Sequence, residues 1–347
     1  MADIASRKHD HLDLSISGDV GFRKTHLLEC VELLHDALPE MRLADIDTSV
    51  ELFGKKLRAP IIIAAMTGGN DRAKAINFEL ASIAEECGFG FGMGSQRAML
   101  VNPDVKDTYS VRSVAPTALV FGNLGGVQAS KLEMVEVADL AHSVGADALC
   151  IHLNPAMELV QPEGDRDFRG ILGVLGRISG ELRLPVIAKE TGCGISASVA
   201  KRLHNCGIKH VDVSGAGGTS WVAVESARLP EQANNAGQAF RDWGIPTAPS
   251  VAYCCQAGFE TIIATGGVTS GLDVAKAVAL GAHAAGIARP VLQAFDNGGR
   301  QGALQHLRRI EGELRMAMFL TGSRTLTALR TVERRIMSPL SQWILPV

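Results

Sequence analysis

Short apolar runs and helical stretches alternate along this chain, and the alternation predicts its fold. Eight runs rich in Ile, Val, Ala and Phe read as buried strands: 61–65, 89–92, 118–121, 148–152, 186–189, 210–214, 261–265 and 284–287. Between them, stretches such as 72–87, 132–144, 168–179, 197–206 and 272–280 carry apolar residues three and four apart, the period of an amphipathic helix. Eight strand-then-helix units predict an α/β chain closed into a (β/α)8 TIM barrel. An open doubly wound sheet competes, but its first unit would carry G-x-G-x-x-G, and the first strand here runs into Thr67-Gly68-Gly69 instead. Residues 1–58 are expected to form an N-terminal cap, 59–290 the barrel and 291–347 a C-terminal helical tail, together one domain.

Polar and glycine-rich residues fall at the carboxyl end of nearly every expected strand, as in Gly94-Ser95-Gln96-Arg97, His152-Leu153-Asn154 and Ser214-Gly215-Ala216. A closed barrel gathers those ends on one face, where barrel active sites are built.

Composition narrows the ligand. The 347 residues are 46% hydrophobic and 20% charged, a balance that excludes disorder and supports a large packed core. Lys plus Arg is 34 and Asp plus Glu 37, so no basic excess is available to neutralise a nucleic-acid backbone, and an anionic ligand must be small and locally held. Apolar runs such as 60–66 are far shorter than the roughly 20 residues that span a bilayer. The polar N-terminus is unlike a signal peptide, so the expected location is the cytoplasm. Seven scattered cysteines without a C-x-x-C pair argue against a disulfide scaffold or a zinc site.

Four groups of residues carry candidate chemistry. The segment 264–290 joins the seventh and eighth strands; its Gly266, Gly267, Val268 and Thr269, the helix start that follows, and Ala288-Arg289 offer backbone donors to a phosphate. Taken alone, this loop fits a flavin, a nucleotide or a sugar phosphate, and its glycines also serve tight turns. Lys189 ends a strand where its ammonium can face an electron-rich ring, with a buried, paired structural lysine as the alternative. Thr67, Ser95 and Asn123 end three other strands with the short polar side chains that rim a planar heterocycle. Arg7-Lys8, with His11 close by, and Ser95-Gln96-Arg97 bring three permanent cations toward one face, which suits a diphosphate, with a solvated N-terminal charge cluster as the alternative for Arg7-Lys8. The long loop 152–168 carries Glu158, Glu163 and Asp165, carboxylates able to hold Mg2+ against phosphate or simply part of a turn and helix start. Cys193 reads as a packing thiol, since no histidine lies near it in the sequence.

RKHDHL at 7–12, MTGG at 66–69, GMGSQR at 92–97, HLN at 152–154, PEGDRDF at 162–168, KETGCGIS at 189–196, SGAGGTSW at 214–221 and ATGGVTSGLD at 264–273 together resemble the type 2 isopentenyl-diphosphate isomerases over almost the whole chain. The resemblance implies an FMN-dependent (β/α)8 enzyme that interconverts isopentenyl and dimethylallyl diphosphate. It further implies reduced flavin with NAD(P)H as reductant, Mg2+, and a homotetramer or homo-octamer. It implies FMN contacts at Ala65, Met66, Thr67, Ser95, Asn123, Lys189, Ser214, Thr219, Gly266, Gly267, Val268, Thr269, Ala288 and Arg289. Diphosphate contacts follow at Arg7, Lys8, Ser95, Gln96, Arg97, His152 and Asn154, with Glu158 on Mg2+ and Trp221 and Glu225 near the substrate tail, Glu225 in the proton network. One position departs from the family pattern: Met157 stands where the loop usually carries Gln, and a thioether has no exchangeable proton. Three readings are compatible with that change: isomerisation with slower or rerouted proton transfer, a different or larger prenyl diphosphate against the apolar methionine, or an engineered variant. The rival functions are another FMN-dependent redox reaction and flavin binding without turnover.

Overall fold

The computed structural model describes residues 4–230 and 235–344. Residues 1–3 of the expected cap and 345–347 of the expected tail lie outside them.

Eight strands close a barrel: β1 Ile61–Ile63, β2 Gly90–Gly92, β3 Leu119–Gly125, β4 Ala148–Leu153, β5 Val186–Glu190, β6 His210–Asp212, β7 Thr261–Thr265 and β8 Ala284–Ile287. Every neighbouring pair is parallel, and β8 pairs with β1 to complete the ring. All eight coincide with the runs read from the sequence, because strands covered on both faces are apolar throughout. The intervening helices follow the same reading. Asn70 caps Asp71–Cys87 by accepting from the Ala73 amide at 2.8 Å, and Gly88 at φ +67° ends that helix.

Alternation along the strands sorts side chains between the barrel interior and the helical shell. Phe121, Cys150, Ile187 and Ile263 form an apolar interior layer. Two residues further along their strands, Asn123, His152, Lys189 and Thr265 continue the same inward face, so the apolar floor gives way to a polar layer at the carboxyl ends. The other end of the barrel is plugged by a hairpin of Val50–Leu52 and Lys55–Leu57. Its turn residue Phe53 meets Phe121 and His210 edge-on, with centroids 5.7 and 5.0 Å away.

The helix Ile4–Ser17 lies across the open end, and the kinked helix Arg289–Leu320 follows β8. Near the chain ends, Val31–Leu33 pairs antiparallel with Arg334–Ile336. The stretch 152–168 is not one long loop. Pro155–Val160 forms a short helix, since proline is preorganised for a first helical turn, and Gln161 before Pro162 turns extended and stops it. No described helix is long and apolar enough to cross a membrane.

Candidate active site

A cavity of about 460 Å³ opens at the carboxyl ends of the strands beneath the helix Ile4–Ser17. The size falls within the range of cofactor and substrate sites. Arg7, Lys8, His11, Leu12 and Ser15 line it from above, a spacing that puts them on one helical face. The helix is tied down on its other sides: Asp10 pairs with Arg228 at 3.0 Å and Asp13 with Arg72 at 2.5 Å. Its last turn is held from the opposite wall, where Arg289 donates to the Ser15 and Gly18 carbonyls at 2.8 and 2.7 Å and Gln293 donates to Ile16 at 2.8 Å. A cation on a helix C-terminus satisfies orphan carbonyls and complements the dipole.

On one wall, the loops 214–219 and 266–269 pack backbone to backbone. Gly266 and Gly267 adopt φ of +110° and +79°, and a Cβ on Gly267 would lie 2.7 Å from the Gly217 carbonyl oxygen, so only glycine fits. The result is a bare-backbone cradle next to the start of the Arg289–Leu320 helix, the arrangement that holds phosphate. In the depth of the cavity, Thr67, Thr191 and Thr265 have hydroxyl oxygens that are buried and without a partner. Such oxygens need a ligand to satisfy them. Cradle, orphan hydroxyls and Lys189 together fit a flavin mononucleotide.

The polar layer is internally connected. His152 Nδ1 lies 2.9 Å from Asn123 Oδ1, and Asn123 donates to the Met93 carbonyl at 3.0 Å. Burial, reinforced by Lys189, Lys8 and Arg97, pushes His152 down to about 3, so the imidazole is neutral. Lys189 is both things foreseen for it, a cavity-lining cation and a paired one, with Asp212 at 3.2 Å.

On the rim stand Arg7, Lys8 and Arg97. Lys8 is not a permanent cation: burial, with Arg7 and Arg97 alongside, brings it down to about 8. Glu158 is buried, accepting from the Asn154 side-chain amide at 2.9 Å and the Asp165 backbone amide at 2.8 Å, with Arg97 3.9 Å away. Among the described residues no cluster of three or more acidic, histidine or cysteine side chains converges on a metal. Asp165 is drawn instead to Arg97 and Lys131, at 3.5 and 3.4 Å.

Nearly every site residue expected from the sequence lines this cavity, including Ala65, Met66, Ser95, Asn154, Met157, Ser214, Thr219, Trp221, Val268, Thr269 and Ala288. Gln96 and Glu225 do not. The Gln96 side chain is fully buried behind the wall, accepting from the Asn123 amide at 2.9 Å and donating to the Leu140 carbonyl at 3.0 Å, so it braces the strand ends and has nothing left for substrate. Glu225, also fully buried, sits one layer back and takes hydrogen bonds from His11 at 2.8 Å and Arg228 at 2.7 Å. Burial would raise its carboxyl, but those two bonds outweigh it and hold Glu225 below its ordinary value. Burial lowers His11 in turn. A neutral His11 that donates Nε2–H to an ionised Glu225 keeps a free lone pair on Nδ1, and its ring meets Trp221 edge-on at 5.2 Å. Thr191, Thr265, Gln128 and Asp212 are not among the residues expected from the sequence; Thr265 and Asp212 fall inside the runs 261–265 and 210–214, on the inward period of two shared with Ile263 and His210. Burial beside Glu190 pushes Cys193 up to about 12, in keeping with a packing thiol.

Residues 172–335 match the family model for FMN-dependent dehydrogenase, a span that holds Lys189 and both glycine loops. Among solved structures the chain is similar to Pediococcus acidilactici lactate oxidase, with TM-score 0.69 and 16% identity over 97% of this chain and 95% of the other. A mandelate oxidase variant gives TM-score 0.67 and 21% identity over 97% and 100%. At that identity the likeness concerns the barrel alone. Curated proteins called isopentenyl-diphosphate delta-isomerase are far more similar in sequence. The one from Methanothermobacter thermautotrophicus is 41% identical over 98% of this chain and 96% of its own, and that from Methanothrix thermoacetophila 44% over 93% and 90%. The Nostoc protein is 42% identical over 95% of each. A barrel with a phosphate cradle and relatives so alike from end to end lead to one assignment: this chain belongs to the isopentenyl-diphosphate delta-isomerase family and is an FMN-dependent isomerase.

Proposed function

We propose that the protein interconverts isopentenyl and dimethylallyl diphosphate without net redox change. The observation that carries this reading is one cavity joining a phosphate cradle deep in the wall to a cationic rim beneath a helix. The Gly266–Thr269 loop would hold the phosphate of FMN, and Lys189, Thr67 and Asn123 would face its ring system. When bound and reduced, it supplies a proton donor and acceptor and a negative charge that stabilises a passing carbocation.

The chain's own residues do the rest. Arg7, Lys8 and Arg97 hold the diphosphate, with Asn154 and neutral His152 as further hydrogen-bonding partners. Glu158 would hold Mg2+ against the diphosphate, in the way Mg2+ combines one or two carboxylates with substrate phosphates. His11 takes up or returns a proton at Nδ1; Glu225 orients its ring and stabilises the imidazolium. Trp221 and the helix Ile4–Ser17 shield the reacting carbons from water. NAD(P)H serves as reductant of the flavin, and the protein works in the cytoplasm as a homotetramer or homo-octamer, one FMN-binding domain per chain.

Met157 lines the cavity with its sulfur 3.9 Å from Asn154 Nδ2, an apolar surface where an amide would offer hydrogen bonds. That observation favours, as a second reading, a larger prenyl diphosphate. The test is anaerobic incubation of the FMN-loaded protein with Mg2+, a reductant and isopentenyl diphosphate, following dimethylallyl diphosphate, with Met157→Gln alongside. Turnover without stoichiometric loss of reductant is expected. A flavin-loaded protein that turns over only as Met157→Gln sinks the isopentenyl reading for the natural chain.

A further inference from the structure

Lys189 and Asp212 stand directly opposite each other in the β5–β6 ladder, and Lys189 lines the cavity with Asp212 beside it. They are 8% and 6% exposed, so neither charge is screened by bulk water. The Asp212 carboxylate approaches the Lys189 ammonium to 3.2 Å and takes the Ser214 backbone amide, also at 3.2 Å, on its other oxygen. Among the described residues no other cation lies within ion-pair distance of Asp212. Below the pair the barrel interior is mostly apolar, with Ile187 and Ile263, and the imidazole there, His210, packs against Phe53.

An ammonium has three N–H donors in a fixed tetrahedral arrangement. One of those of Lys189 is spent on the Glu190 carbonyl at 3.0 Å, and the ammonium is held at ion-pair distance from Asp212. The N–H groups that remain are available to the cavity that Lys189 lines. The same carboxylate offsets the lysine's charge at short range in a region of low dielectric, where such an offset is felt strongly.

We infer that Asp212 is a positioning residue of the cofactor site: it holds the Lys189 ammonium in place beside the flavin and attenuates its positive charge, and so limits how strongly the site favours the electron-rich reduced flavin. The inference rests on the reading that the flavin ring lies against Lys189. Charges near the ring are among the levers by which a protein tunes a flavin. An isomerase needs the reduced form to persist yet remain a ready proton donor, and an unattenuated lysine would hold the negative charge too firmly.

The test is the flavin midpoint potential of the reconstituted holoenzyme, measured by equilibrium reduction against a reference dye in wild type, Asp212→Asn, Asp212→Glu and Lys189→Met. Asp212→Asn is expected to shift the equilibrium at least tenfold toward the reduced state, a change of about 30 mV for a two-electron couple. Asp212→Glu is expected to stay near wild type and Lys189→Met to move the opposite way. Should Asp212→Asn fail to fold with an uncompensated lysine, the double variant Lys189→Met/Asp212→Asn is compared with Lys189→Met, and loss of the carboxylate is again expected to raise the potential. An unchanged potential on removing the carboxylate, while Lys189→Met moves it, overturns the role of Asp212 and leaves the cofactor reading intact. A potential indifferent to Lys189→Met as well shows that the flavin is not against Lys189, and both readings fall.

Discussion

Thr67 shows how a residue can serve a ligand at the expense of the free protein. Its hydroxyl oxygen is buried without a partner. An unsatisfied buried polar group costs about 1–3 kcal/mol, so Thr67→Val is expected to leave the cofactor-free protein as stable or about 1 kcal/mol more stable, while weakening FMN roughly fivefold. Paired melting curves and flavin titrations check both halves. His152 gives a pH dependence of definite sign. The unfolded chain takes up its proton at 6.5 and the folded protein only at about 3, so the stability it contributes is complete above 6.5 and drains away as pH falls. At pH 5 the loss is about 2 kcal/mol, and it is expected to vanish in His152→Gln, as denaturant curves at pH 7 and 5 would report. Lys8 acts at the other end of the scale. It sheds its charge above about 8 in the free enzyme, so kcat/KM is expected to fall above that pH and to hold up further in Lys8→Arg.

Among the elements, the helix Ile4–Ser17 depends on partners that belong to the opposite wall. Arg289 is both beside the phosphate cradle and the group that closes this helix's last turn. Arg289→Lys keeps the charge but loses the fork, so it is expected to raise the KM for the diphosphate several-fold and to speed proteolysis within residues 4–17, with a smaller change in FMN affinity. A protease time course with and without FMN reads this directly. These same elements mark how far the sequence was legible. The eight strands could be read because burial on both faces leaves uninterrupted apolar runs, and the cradle because a glycine pair stands between a strand end and a helix start. The N-terminal helix could not, since its inward face is itself charged: Arg7, Lys8 and His11 answer to a ligand, not to a core. Gln96 misled because it belongs to a polar run at a strand end, yet its side chain turns away from the cavity to brace the Asn123 amide and the Leu140 carbonyl. Glu225 lies one layer behind the cavity wall, a placement set by a contact with His11 across 214 residues of chain.

In the whole molecule the two ends meet: Val31–Leu33 pairs with Arg334–Ile336, and Arg58 grips Glu311 with two hydrogen bonds of 2.8 and 2.6 Å. Segments far apart in sequence therefore share the stability of the barrel, and cofactor binding at one face is expected to stabilise the whole chain. At a hundredfold excess over its Kd, FMN should add about 2.7 kcal/mol, and Gly267→Ala should abolish the gain in melting temperature by filling the cradle. The hairpin plug has a different consequence. With Phe53 wedged against Phe121 and His210, the barrel is a vessel stoppered at its base, and among the described residues the cavity opens beneath the N-terminal helix. On the proposed reading, traffic through that doorway is expected to run last in, first out, with the flavin entering before the diphosphate and a bound diphosphate slowing the flavin's release.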